Sequence, residues 1–358
     1  MELAYLWPGN KNRTALVTVS MKKAILFLLG LTLLISCGKN KKIPDVSHIK
    51  VEIPVERFDQ AFFSMDSSRP DASLRQLQQQ FPGFYNDFMS QILGVNPSPE
   101  DPNSIEVTRS FLRGYLPVYD SVKNRYLETG WLQKELEKGF RFVKYYFPQY
   151  KTGKAWIFLG PFDAPGVATT ASGIAIGLQQ FAGRNFSLYA IPQMQEMFPA
   201  YISRRFDPAY ISANCMKAVV QELFPDQSGG KPLVEQMVEK GKQWWLLDKF
   251  MPEAPDSIKT GYTALQLKWC AENEGLIWSE IVRNEDLNSL SPAVIQTYIG
   301  EGPFTQGFSQ EYSPGNLGQW LGWRIVQKYV SKNPDIQPVD LMKVPARKIL
   351  EEAKYKPK

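Results

Sequence analysis

The chain has 358 residues, 44% hydrophobic and 13% aromatic, which is enough apolar content to bury a core and excludes a disordered polypeptide. The formal net charge is +5, but Lys11, Arg13, Lys22 and Lys23 against Glu2 account for most of it, and no basic stripe with interleaved aromatics is present, which excludes a nucleic-acid partner. A single histidine, His48, excludes Ser-His-Asp triads, Cys-His dyads and zinc sites built on paired histidines, and no cofactor is called for.

In chain order, residues 1–20 have no role in a signal peptide and read as an over-extended gene start, with Met21 the better initiator. Residues 21–36 have the parts of a signal peptide: the basic Met21-Lys22-Lys23, an apolar core from Ala24 to Ile35 and the small Ser36. The run is too short for a membrane span, which takes about 20 apolar residues. Leu34-Ile35-Ser36-Cys37 resembles the lipobox of bacterial lipoproteins, which marks Cys37 as the lipidation site. Residues 37–55, polar and proline-bearing, are expected to form a tether that contains His48 and holds the body at a membrane.

Residues 56–358 are expected to form one globular domain, with a helical subregion over 56–150 and sheet plus helices over 151–358. Phe58, Ala61, Phe62 and Met65 fall at helical spacing, and a longer helix runs from about Leu132 to Phe147. Ala155 to Leu159 and Gly173 to Leu178 are short apolar runs bounded by glycine, the signature of strands, separated by a Gly/Pro/Thr loop. They predict a small sheet of paired strands rather than repeated βαβ units. Asp207-Pro208 predicts the start of a helix carrying Ile211, Cys215, Val219 and Leu223. Pro232 opens another, Thr263-x-x-Gln266 matches a capping box, and Pro314-Gly315, Pro338 and Pro345 precede further helices. The class is α+β, mainly helical. Cys215 and Cys270 could pair in an oxidising envelope, but both fall on amphipathic helices and are expected as buried free thiols.

Several stretches resemble the gliding-motility lipoprotein B (GldB) family of Bacteroidetes. They include Asn214-Cys215-Met216-Lys217, Met237-Val238-x-Lys240-Gly241-Lys242, Gly261-Tyr262-Thr263, Trp269-Cys270-x-Glu272-Asn273-Glu274, Gly302-Pro303-Phe304-Thr305 and Ser313-Pro314-Gly315-Asn316-Leu317-Gly318-Gln319-Trp320. The resemblance implies a cell-envelope lipoprotein partnered with envelope proteins of a motility or type IX secretion machinery, and no known reaction; Gly38, in place of the aspartate that retains enterobacterial lipoproteins in the inner membrane, points to the periplasmic face of the outer membrane without fixing it. The family is distantly similar to zincin-like peptidases, in which a small sheet precedes a helix bearing the metal ligands. The helix in that position carries Asn214, Lys217, Ala218 and Gln221, so the scaffold would lack the metal motif.

Glu272 and Glu274 are the candidates for acid chemistry on peptidoglycan or another glycan, with Asp163 as a partner if the fold brings it near. Two residues apart on a helix, the glutamates point in different directions. Trp244, Trp245, Trp269, Trp278, Trp320 and Trp323 could stack sugars, although their spacing favours the core. The loop Gly302, Pro303, Phe304, Thr305 is expected at the surface, as a partner contact.

Overall fold

In the computed structural model, which describes residues 43–284 and 287–357, both apolar runs are strands buried on two faces. The sheet has four strands, β1 (Val55–Arg57), β2 (Lys154–Phe158), β3 (Val167–Thr170) and β4 (Gly173–Gly177), in the order β1-β2-β4-β3. Pairs β1–β2 and β2–β4 are parallel and β3–β4 is antiparallel. Successive side chains of a strand point to opposite faces. Ala155, Ile157, Ile174 and Ile176 therefore join one apolar cluster, while Trp156, Phe158 and Ala175 join another on the opposite side. Burial on both faces is why β2 and β4 are continuous apolar runs rather than alternating ones.

Two expectations change here. Each strand is paired, but the two expected strands pair in parallel, and β3, which forms a hairpin with β4, lies within what was expected to be a loop. The proposed tether also ends too late. Val46 and Ile53 are buried, and β1 begins at Val55, so the last ten residues of 37–55 belong to the body. Neither strand carries an apolar pattern of its own; each is held by pairing with a partner strand. The proposed signal peptide, Cys37 and the first part of the tether lie outside the described residues.

Helices α1 (Phe58–Phe63), α2 (Pro70–Gln80) and α3 (Tyr85–Asp87) cover one face of the sheet together with the first half of α4 (Pro102–Val122). The core on that side is aromatic. Phe84 stacks on Trp156 at 5.8 Å between ring centroids, and Phe58 meets Phe84 edge-on at 5.0 Å. Helix α4 changes sides about Pro117: Phe111 packs in the aromatic cluster, Val118 and Val122 in the other.

The opposite face is covered by α5 (Gly130–Tyr146) and, beyond the short α6 (Pro192–Met197) and α7 (Ala200–Ser203), by α8 (Ile211–Leu223) and α9 (Leu233–Phe250). The chain continues through α10 (Asp256–Thr260), α11 (Ala264–Glu272), α12 (Glu274–Asn284), α13 (Pro292–Ile299), α14 (Leu317–Lys332), α15 (Pro338–Lys343) and α16 (Ala346–Ala353). The helix-start signals are realised. Asp207 accepts from the Ala209 N–H at 3.1 Å, and the Thr263–Gln266 capping box has both of its hydrogen bonds. Helices α9 and α14 cross at glycine: a Cβ on Gly241 would overlap the Gly322 backbone, and one on Gly322 the Met237 carbonyl. The molecule is mainly helical α+β, 58% helix with one small sheet.

Candidate functional site

A cleft of ≈ 570 Å³ opens between the start of β3 and helix α8. Four of the residues facing it are Asn214, Lys217, Ala218 and Gln221, brought to one side because i, i+3, i+4 and i+7 share a helix face. The buried face of α8, with Ile211, Cys215 and Val219, packs into the core and fixes that orientation. Gly166 and Val167 of the sheet edge form the facing wall, and Trp244 on α9, Arg205, Glu301 and Asn316 complete the rim.

The charges are unevenly committed. Arg205 forks onto Glu301, with Nη2 to Oε2 at 3.1 Å and Nη1 to Oε1 at 3.4 Å, and the Asn316 amide donates to the same carboxylate at 3.4 Å. Lys217 sits partly buried in the wall, and no hydrogen bond or ion pair holds its ammonium among the described residues. Burial lowers its pKa to about 8, Arg205 adds repulsion, and Glu301 only partly offsets both. The site thus has two cations to one anion, and one of those cations has no counter-charge of its own.

This donor set does not fit a zinc ion. An ammonium repels a cation, and Asn and Gln amides are not among the ligands that hold structural or catalytic zinc. Among the described residues no three of His, Cys, Asp and Glu gather where a metal ion could sit.

The carboxylates singled out in the sequence are elsewhere. Glu272 is exposed and lies 3.8 Å from Lys268, one turn before it on α11. Glu274 is a clamp: Arg324 on α14 grips it in a fork (3.0 and 3.1 Å), and the Tyr355 hydroxyl donates to it at 2.6 Å, tying α12 to α14 and the C-terminal segment. Asp163 is exposed in the loop after β2, beside Tyr115 of α4. None of the three lines the cleft, so the fold does not bring them together there.

The Gly302–Thr305 loop is only partly a surface. Pro303 is exposed, but Thr305 is fully buried, its hydroxyl donating to the Pro314 carbonyl at 2.9 Å and accepting from the Leu317 N–H at 3.3 Å. It latches the loop to the start of α14 and leaves Gly302, Pro303 and Phe304 as the accessible part of the segment. Trp245, Trp320 and Trp323 are buried, while Trp269 packs on Phe308 and Trp278 on Tyr355. Only Trp244 of the six lines the cleft, wedged edge-on against Tyr262 and Trp323. Cys215 and Cys270 are free and buried, and burial raises both thiol pKa values.

Two of the motif segments supply residues of this cleft, Asn214 and Lys217 from one and Asn316 and Gln319 from another. Gly261 ends α10 in a left-handed conformation with φ +79°, under the Arg205 side chain. Next to it the Tyr262 hydroxyl donates to Asn316 Oδ1 at 2.7 Å, joining that turn to the head of α14. The family model for the gliding motility protein GldB matches residues 39–357, nearly the whole chain. The chain belongs to the GldB family. Neither the curated proteins nor the solved structures returned a match. Arg205, Gln243 and Glu301 carry no sequence signal that marks them as site residues; the fold alone collects them around the GldB-like segment Asn214–Lys217.

Proposed function

We propose that the protein serves gliding motility as a lipid-anchored component of the cell envelope, acting without catalysis through contacts with other proteins of the motility or type IX secretion assembly. The membership of the GldB family supports the process. Anchoring rests on the lipobox-like Leu34-Ile35-Ser36-Cys37, and no helix among the described residues is long and apolar enough to cross a membrane. The observation that carries the non-catalytic reading is the face α8 turns to the cleft: an ammonium, two amides and a methyl group. Such a set recognises and positions; it supplies neither a metal ligand pair nor a general acid with a carboxylate partner. The exposed Pro303 and its neighbours Gly302 and Phe304 are the part of the 302–305 loop left to contact a partner.

The experiment is replacement of the native copy by Cys37→Ala in the host, then fractionation and cross-linking. Stable anchoring takes more than one lipid chain or signal. The variant should lose acyl labelling and its cross-links to envelope proteins, with gliding or secretion impaired to match. Retention of acylation at wild-type level, or chelator-sensitive peptidase turnover by the untagged protein, would overturn the reading.

A further inference from the structure

We infer that the cleft is one end of a binding track for an extended peptide, which adds as a strand to β3 and places a carboxylate side chain on Lys217. This rests on the reading that the cleft binds rather than cleaves.

The first observation is the open edge of the sheet. Strand β3 is the last in the order β1-β2-β4-β3, so among the described residues one side of its backbone has no neighbouring strand. Residues Gly166 and Gly177 lie opposite each other, and the Gly177 N–H donates to the Gly166 carbonyl at 2.8 Å. In an antiparallel pair, hydrogen-bonded and non-hydrogen-bonded positions alternate. Residues 168 and 170 therefore turn their N–H and C=O groups toward β4, and Val167 and Thr169 turn theirs outward. A row of unpaired backbone groups is a template for another strand.

Continuity is the second. Gly166 and Val167 line the cleft beside α8, whereas Thr170 and Ala171 line a second cleft of ≈ 530 Å³. The open edge runs from one to the other. Helix α8 takes the same course, with Gln221 in the first cleft and Glu222 in the second. The track suits a strand of about four to five residues at roughly 3.3 Å each.

Charge selects the occupant. Lys217 and Asn214 stand one turn apart on α8, face the first cleft and make no side-chain hydrogen bond inside the protein among the described residues. A partly buried ammonium without a partner is costly to keep. The one carboxylate near it among the described residues, Glu301, is already bound to Arg205 and Asn316. A glutamate or aspartate on the incoming strand would supply the missing counter-charge and accept from Asn214.

The test uses the full chain and a fluorescent, end-blocked β-forming peptide with a single central glutamate, beside its glutamine counterpart. The glutamate peptide should bind more tightly, and Lys217→Met should weaken it by about tenfold while hardly changing the glutamine peptide, the pattern of a charge-assisted pair. Thr169→Pro removes one outward N–H and leaves the ladder with β4 intact, since proline is tolerated on an edge strand whose N–H faces out; it should weaken both peptides alike. Cooperative melting of each variant at or above the temperature of the parent separates lost binding from lost folding, and Lys217→Arg should restore the glutamate preference. Equal binding of the two peptides, or indifference to Thr169→Pro, would overturn the inference. Mass analysis of the recovered peptide distinguishes the two readings. Bound and intact peptide supports both, bound and cleaved peptide overturns the non-catalytic reading while keeping the track, and no binding overturns the track alone.

Discussion

At the scale of single residues, the position that stands out is Lys217. Its ammonium is partly buried, repelled by Arg205 and incompletely balanced by Glu301, and its pKa falls from 10.5 to about 8. The other titratable group in the cleft wall is Tyr210. The unfolded chain therefore binds more protons than the folded one between about pH 8 and pH 10.5, and stability contributed by this residue rises with pH across that window. Below pH 8 the lysine is charged in both states and its burial weakens the fold in full. Lys217→Met should raise stability near pH 7 and remove this part of the slope, which denaturant titrations of both proteins at pH 7, 8, 9 and 10 would measure. A wild-type slope in the variant would refute the assignment. Glu274 shows the opposite case: Arg324 and Tyr355 satisfy its carboxylate, so a residue whose type suggests acid chemistry has a structural task. No local pattern tells these two apart, because the difference lies in partners 50 and 81 residues away.

At the scale of elements, the crossing of α9 and α14 is a contact of backbone on backbone. Gly241 and Gly322 let the two helices meet, and no side chain fits between them. Gly241→Ala should cost about 3 kcal/mol or more, since overpacking against backbone cannot be relieved by a rotamer change. Gly229→Ala, where an added methyl meets nothing within 4 Å, is the control and should change stability by less than about 0.5 kcal/mol. Equal denaturation midpoints for the two variants would show that the helices can separate without loss. The elements differ in how far they could be seen in advance. Strands β2 and β4 were legible because burial on both faces leaves an apolar run between glycines. Helices α8, α9 and α11 were legible through Asp207, Pro232 and the Thr263–Gln266 box. Strands β1 and β3 were not, being three and four residues long and stabilised by partners rather than by propensity.

At the scale of the whole molecule, the sheet divides two cores and its first strand comes from a segment that looks like a tether. A chain beginning at Val46 should unfold cooperatively, whereas one beginning at Phe58 loses β1 and the buried Ile53 and should be less stable by about 3 kcal/mol or more. Equal midpoints in urea would return residues 46–55 to the tether. The sequence by itself determined the mainly helical class, the family through motifs spread over the chain, and the residue types on the cleft-facing side of α8. These are local properties: composition, period and short strings of residues. The tertiary structure alone decided where the body begins, that β3 is an open edge, and that Arg205, Lys217 and Glu301 share one cleft. It also decided that Glu272, Glu274 and Asp163 do not. Those outcomes depend on which distant segments pack together, and on whether a charge finds its partner once they have done so.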